Sequence, residues 1–444
     1  MLSFRYIVRL ISAFFARFRV IIILGIVLGI SIFLILYFVL PLFFDKTVTT
    51  IGLTGRYNTT DLPVNVLEMI GDGLTRLNST GAAEPNLATS WETPDKGKTW
   101  IFKLKDNLTW QDGKKVTSGS INYQFSDVKT ERPDDLTLVF KLQNPYSAFP
   151  TVVSKPIFKK GLLGTGEWRV KNINISGTIV TDITMEKSPQ GSQKKEILIY
   201  KFYPTDERTK LAFELGEVSQ IQDVFTPDPF DTWKHLTIEK STVTGEYVAI
   251  FLNTTSKVLG EKNFRQALAY AIDKNALGGE RALSPIPISS WAYNPQVKPY
   301  DYDAEKAKTM ISNLPDEQKK GLAVNLSVSP ILLPQAEKVA KNWESVGVKT
   351  NIQVVPFIPQ DYEALMVIFD APDDPDQYSI WHSTQVATNI SKYQNPRIDK
   401  LLEDGRSEVD FEARRKIYLD FQRFLVEESP AIFLYYPTTY TIKR

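Results

Sequence analysis

LPQAEKVAKNWESVGVKTNIQVV, Leu333 to Val355, decides the fold. Ala336, Val339, Ala340, Trp343 and Val346 recur every three or four residues, the stripe of an amphipathic helix, and Gly347 supplies its stop. Val348, Thr350, Ile352 and Val354 then alternate, which predicts a strand with one buried face. A helix that runs at once into a strand is half of an α/β unit.

Around this unit the pattern repeats. EKNFRQALAYAIDKNALGG (261–279) puts Phe264, Leu268, Ala271 and Ile272 on one stripe and stops at Gly278 and Gly279. EARRKIYLDFQRFLVEE (412–428) predicts a last helix with Ala413, Ile417, Phe421 and Phe424 inward and Asp410 as its N-cap. AIFLYYP (431–437) reads as a final strand. Upstream the chain is richer in strands. TVTTIGLT (47–54) is a strand, and LPVNVLEMIGDGLTRL (62–77) holds a short helix ending near Gly71 or Gly73. SWETPDKGKTWIFKLKDNLTWQDG (90–113) carries Trp91, Trp100 and Trp110 beside turn signals, with Trp100, Phe102 and Leu104 alternating onto one face. Trp100 and Trp110 are expected on neighbouring strands as framework, since a stacking platform for sugars would leave its rings exposed. DERTKLAFELGE (206–217) is a helix whose buried face Leu211, Phe213 and Leu215 do not decide. A β-rich part thus leads into an α/β part, and the last strand is expected to return to the first. Two crossings between two lobes make a hinge with a cleft.

The 444 residues exceed one ordinary core. There is no cysteine, which excludes disulfides, thiolate nucleophiles and Fe–S clusters. Residues 1–46 hold Arg5, Arg9, Arg17, Arg19 and Lys46 against Asp45 alone, so the remainder is slightly acidic and no nucleic-acid footprint exists. Val20 to Phe44 has no charge, enough for a helix of roughly 37 Å against a hydrocarbon core of about 30 Å. The run ends in Pro41, Phe43, Phe44 and Asp45 without a small-residue cleavage site, so it reads as an uncleaved anchor. The four preceding arginines place residues 1–19 in the cytoplasm and the rest outside the membrane. Gly25 and Gly29 form a G-x-x-x-G, either a weak pairing face or glycines simply tolerated in a membrane helix.

The exported part resembles the family 5 extracellular solute-binding proteins of ABC importers, the dipeptide- and oligopeptide-binding type. EPNLATSWETPDKGKTWIFKLKDNLTWQDGKKVT (84–117), LGTGEWRV (163–170), EYVAIFLNTT (246–255) and FRQALAYAIDKNAL (264–277) carry the likeness. DYDAEKAKTMI, DDPDQYSIWHS, YQNPRIDKLLEDG and SPAIFLYYP follow in the family's order. The resemblance implies an α/β (mixed α+β) fold of the two-lobed periplasmic-binding type, preceded by one transmembrane helix (20–44). It implies a lobe I over 45–252 with a reduced subdomain near 85–160, a lobe II over 253–428, and 429–444 as the returning strand of lobe I. It also implies a monomer without cofactor, metal or catalytic residues, working with ABC permease subunits at the cell membrane. Two departures stand out. Ser120 takes the place of an aspartate that introduces a long helical insertion in the family. Counting three residues back from Asp374-Pro375, where peptide binders carry the aspartate that holds the amino terminus, gives Ala371, with Asp370 one position off.

The candidate ligand contacts follow. Asp370, Asp374, Tyr378 and Trp381 lie in the acidic and aromatic run FDAPDDPDQYSIWHS; a buried amine needs such a carboxylate, and the alternative is a solvated loop of turn and cap residues. The calcium pattern D-x-D-x-D-G is missing there. Trp291 and Tyr293 stand in the proline-rich loop SPIPISSWAYNP, Tyr57 follows the first strand, and Asn253 stands at the expected crossing, either bonding across the cleft or capping the hinge. Gly164-Thr165-Gly166 leads into a strand and is no nucleotide loop. The expected function is capture of a peptide-like solute and its delivery to a permease. The alternatives are an oligosaccharide or metal chelate as solute, or sensing without transport. An enzyme has little support: His235 and His382 are the only histidines, and neither G-x-S-x-G nor H-E-x-x-H occurs.

Overall fold

The computed structural model describes residues 4–44, 46–187, 195–319 and 322–444. Met1 to Ser3 of the expected cytoplasmic segment and Asp45 at the expected end of the anchor lie outside them. The elements followed below are helices α1 (Phe4–Phe44), α2 (Lys262–Ala271), α3 (Leu333–Ser345), α4 (Pro396–Ser407) and α5 (Phe411–Glu428). The strands are β1 (Lys46–Thr54), β2 (Glu246–Leu252), β3 (Ala323–Val328), β4 (Lys349–Val354), β5 (Ala364–Asp370), β6 (Ala431–Tyr436) and β7 (Thr438–Lys443). Within α1, the most apolar 18-residue window of Ala13–Tyr37 has a mean hydropathy of 3.1 and none of it is buried, so the helix is long and apolar enough to cross a membrane.

β1 runs through the middle of a seven-stranded sheet, parallel to Lys195–Tyr203 on one side and Gln220–Val224 on the other. The helix Asp206–Glu214 makes the crossover between those two flanking strands. It buries Thr209, Ala212 and Phe213 and leaves Leu211 and Leu215 exposed, which settles the face that the sequence left open. A Cβ on Gly52 would sit 3.3 Å from the Thr209 methyl, so glycine in β1 lets this helix lie close. Trp168–Ser176, Ile179–Lys187 and Lys195–Tyr203 extend the sheet as antiparallel hairpins.

A four-stranded antiparallel sheet (Ala88–Glu92, Thr99–Leu104, Thr137–Lys141, Lys129–Asp134) stands beside it with its own core. Trp100 and Trp110 are buried there, as a framework role requires. Trp110 corrects the sequence reading in one respect: it lies between strands, its indole N–H donating to Ser120 Oγ at 3.1 Å. Ser120 Oγ also accepts from the Thr117 N–H at 2.9 Å, so the serine at this position caps a turn.

The second large sheet has the order Glu280–Arg281, β6, β2, β5, β3, β4. β4 and β5 both run parallel to β3, and β2 is antiparallel to β5 and β6. α3 buries Ala336, Val339, Ala340 and Trp343 and ends at Gly347, whose φ of 90° suits only glycine without strain. In β4 the expected inward face fades, from Val348, fully buried, to Val354, half exposed at the sheet's open edge. Asp410 caps α5 by accepting from the Ala413 N–H at 2.8 Å. The buried stripe of α5 is Arg414, Tyr418, Phe421, Gln422, Leu425 and Val426, offset from the expected Ala413, Ile417 and Phe424. Two polar residues share it because each is satisfied: Gln422 Oε1 accepts from Ser284 and Asn294, and its amide donates to Ala292 O.

The chain passes between the two large sheets at places other than those expected. β2 belongs to the second sheet, so the first crossing precedes Glu246 rather than following Leu252. β6 also stays in the second sheet, and the returning strand is β7, one strand later. Pro437 separates the two, since it has no N–H for either ladder. The crossings lie side by side, tied by the Val243 N–H donating to Pro437 O at 2.9 Å.

Candidate functional site

β5 is longer than its neighbour. It pairs with β2 over its whole length, Glu246 opposite Asp370 through Leu252 opposite Ala364. With β3 it pairs only over Ala364–Met366. Among the described residues, the strand edge from Val367 to Asp370 therefore has no strand partner on that side, beyond the carboxyl ends of the parallel strands, where open α/β sheets commonly bind their ligands.

Acidic residues gather at the far end of this edge. Glu246 and Asp370 stand directly opposite each other, an arrangement that costs a sheet stability. Burial, then Asp370 and Asp223, push the Glu246 carboxyl above its usual range. Burial and Asp373 do the same to Asp370. Asp373 is raised by burial, eased by Lys155 and raised again by Asp374. Two further carboxylates come from the first sheet's side. Glu68, on the helix Val64–Ile70, is raised by burial and by Asp373. Asp223 is raised by burial, at a register shift in Gln220–Val224 where its own φ is 58°. Of these five, Asp373 is the one eased by a neighbouring cation, Lys155. Glu68, Asp223, Asp370 and Asp373 are exposed and Glu246 is half-buried, so water screens much of their mutual repulsion, and an incoming cation would relieve the rest.

The residues singled out from the sequence separate into two groups. Asp370 is in the cluster. Tyr57 is near it: its ring packs edge-on to Phe202 at 5.0 Å, and burial, then Asp223 and Asp61, raise its phenol. Tyr293 is half-buried beside Glu280, on the second-sheet side. Trp291 lies in the part of the chain between the crossings (246–436, the second body). It reaches the part before them (46–242, the first body) by its backbone, its N–H donating to Thr80 O at 2.9 Å, while its ring rests on Phe411.

The other candidates are committed elsewhere. Asp374 is 8% exposed and takes a forked pair from Arg414, Nη1 at 2.9 Å to Oδ2 and Nη2 to Oδ1. It also accepts from Thr151 at 3.4 Å, so it joins the two bodies instead of facing a ligand. Tyr378 lies between the His382 ring and the Arg406 guanidinium, each 4.1 Å from its ring. Trp381 is core, 1% exposed and stacked on Phe251. Asn253 spans nothing: its amide donates to Tyr362 O and its carbonyl accepts from Thr255, all within the second body. The sequence reading missed Glu68, Asp223 and Glu246. No spacing links them; only the fold brings them together.

The bodies also touch through Ser147, whose N–H and hydroxyl donate to Arg406 O (2.8 Å) and Gly405 O (3.1 Å). Gly81, φ 76°, lies against Asp373 O, where a Cβ would come within 2.8 Å.

The family model of bacterial extracellular solute-binding proteins, family 5 (middle), matches residues 82–129 and 118–389. The oligopeptide-binding protein AppA of Bacillus subtilis (strain 168) is 23% identical over 475 residues, covering 89% of this chain and 87% of AppA. Its solved structure, in complex with a nonapeptide, superposes with a TM-score of 0.68 at 21% identity, over 90% of this chain and 94% of that one. The ABC transporter substrate-binding protein CtaP of Listeria monocytogenes gives a TM-score of 0.73 at 19% identity, again over 90% and 94%.

Proposed function

Because the chain belongs to the family 5 bacterial extracellular solute-binding proteins, a family of binders rather than enzymes, we propose that it captures a peptide-like solute between its two large sheets and hands it to an ABC-type permease. One observation carries the peptide reading: the edge of β5 left free by β3 ends at Asp370, whose carboxyl is raised by burial and by neighbouring Asp373. An extended peptide adds to such an edge as a strand, through its main chain. Its terminal ammonium would meet Asp370 and Glu246 and supply the missing positive charge.

Lobe I is the seven-stranded sheet with the small β-subdomain, and lobe II is the sheet of β2 to β6 with its helices. A ligand touching both favours the closed arrangement by the contacts it makes only there. The paired crossings near Val243 and Pro437 are the hinge. α1 keeps the receptor at the membrane, residues 1–19 on the cytoplasmic side, at high effective concentration beside its permease.

The test is a thermal melt of the full chain in lipid nanodiscs with a mixture of tripeptides. A ligand at a hundred times its dissociation constant stabilises the folded state by about 2.7 kcal/mol, which raises the melting temperature. A shift with oligosaccharides or a nickel chelate and none with peptides would overturn the peptide reading. No shift with any of them would overturn solute capture of these classes.

A further inference from the structure

The charge-free run of α1 ends at Phe44, and Lys46 is already in register with Lys195 as the first residue of β1. One residue lies between them, so the two Cα atoms stand at most about 7 Å apart. On the reading of α1 as an anchor proposed above, the Lys46 end of the first sheet lies against the lipid headgroups, inside the Debye length of about 8 Å at physiological salt. β1 adds little slack, because it pairs with Lys195–Tyr203 along all nine of its residues.

The residues gathered at that end are basic. Across the sheet, Lys46 stands beside Lys195, Glu196 opposite Lys187, and Lys187 opposite Trp168. Arg169 and Lys171 follow on the outer strand, Trp168–Ser176. Against these five cations stand three carboxylates, Glu167, Glu186 and Glu196. Glu167 is taken by Lys187, and Glu186 is shared between Lys195 at 2.7 Å and Lys171 at 3.6 Å. Lys46 and Arg169 are exposed and have no ion-pair partner among the described residues. Trp168 is half-buried, and a ring with one packed and one wet side suits the headgroup level of a bilayer. We propose that this rim of the first sheet is a docking surface for anionic phospholipid headgroups, with Lys46 and Arg169 bonding to their phosphates. It holds lobe I upright on the bilayer, so that lobe II is the body that swings on solute capture. The short connection and the sign of the charge favour lipid over a second copy of the chain, whose matching rim would repel this one.

The chain has no cysteine, so a single label can be placed on it in nanodiscs. Thr47→Cys marks the rim. Thr178→Cys marks the far turn of the hairpin Trp168–Lys187, roughly 30 Å away at 3.3 Å per residue. Lipids with a spin label on the headgroup should quench a fluorophore at position 47 at least threefold more than one at position 178. The decisive variant carries twelve Gly-Ser residues inserted before Lys46, which removes the constraint of the short connection. Quenching at position 47 should survive this insertion in phosphatidylglycerol discs and fall at least threefold in phosphatidylcholine discs. It should fall in both once Lys46→Gln and Arg169→Gln are added. Equal quenching of the insertion variant in the two lipids overturns the surface. So does no effect of the two substitutions, or equal quenching at positions 47 and 178 without the insertion. Loss of quenching in both lipids, with dimers on size exclusion, assigns the rim to a second copy and overturns lipid docking. A chain that separates from the discs overturns the anchor and the rim together, while solute capture, read by the peptide melt, still stands.

Discussion

Arg265 shows how one residue can hold two segments. It is 3% exposed, and its guanidinium donates to Leu259 O (2.9 Å), Gly260 O (2.8 Å), Glu428 O (2.6 Å) and Ser429 O (3.1 Å). Glu428 ends α5, where carbonyls lack intrahelical donors and the helix dipole is negative. Arg265→Met would strand four carbonyls, and a loss on the order of 3 kcal/mol is expected in urea unfolding. Arg265→Lys should recover only part, because one ammonium cannot fork to four acceptors. Asp370 and Glu246 behave oppositely. Their pKa values are raised in the folded state by burial first and then by neighbouring carboxylates. Their contribution to stability is therefore fully present below the ordinary carboxylate range and lost as pH rises through the raised values. At pH 7.5 Asp370→Asn should raise the melting temperature of the ligand-free protein while weakening a free-amine peptide about tenfold, the effect of one charge-assisted hydrogen bond. Affinity for that peptide should also fall on acidification, beginning above the usual aspartate range.

At the scale of elements, α4 and α5 are fixed to the acidic loop by two ion pairs, Arg406 with Asp376 at 2.9 Å and Arg414 with Asp374. The Arg414 pair is buried, so removing one partner leaves a charge without compensation. Arg414→Met should cost about 3–5 kcal/mol in chemical unfolding, and adding Asp374→Leu should recover most of it. Such recovery identifies Asp374 as structural, because a ligand contact would gain nothing from a second substitution. α1 makes a separate expectation. Its charge-free run, Val20–Phe44, would carry the chain into the membrane fraction and resist alkaline carbonate extraction. Release of a soluble chain whose first residue lies beyond Phe44 would show that the helix is a leader and not an anchor.

For the whole molecule the central feature is the double crossing, Val243–Gly245 beside Pro437, between sheets that otherwise meet at few side chains. Trileucine should lower the radius of gyration in solution scattering, since only the closed form touches ligand from both sides. Much of this architecture is legible in the residues alone. The α3 stripe, the Gly347 stop, the Asp410 cap and the buried Trp100 are local facts, because period and capping chemistry depend on the nearest few residues. The cluster that makes the site is not. Asp370 and Asp374 stand four residues apart in one acidic run, yet one faces uncompensated carboxylates and the other is neutralised by Arg414, forty residues on. Which sheet claims β2 and β6 is equally hidden, since a continuous apolar strand suits either. The sequence by itself determined which segments are helix or strand, which face most of them bury, and the family. Only the tertiary structure decided where the chain changes sheets and which charges remain unpaired, because both depend on partners distant in the chain.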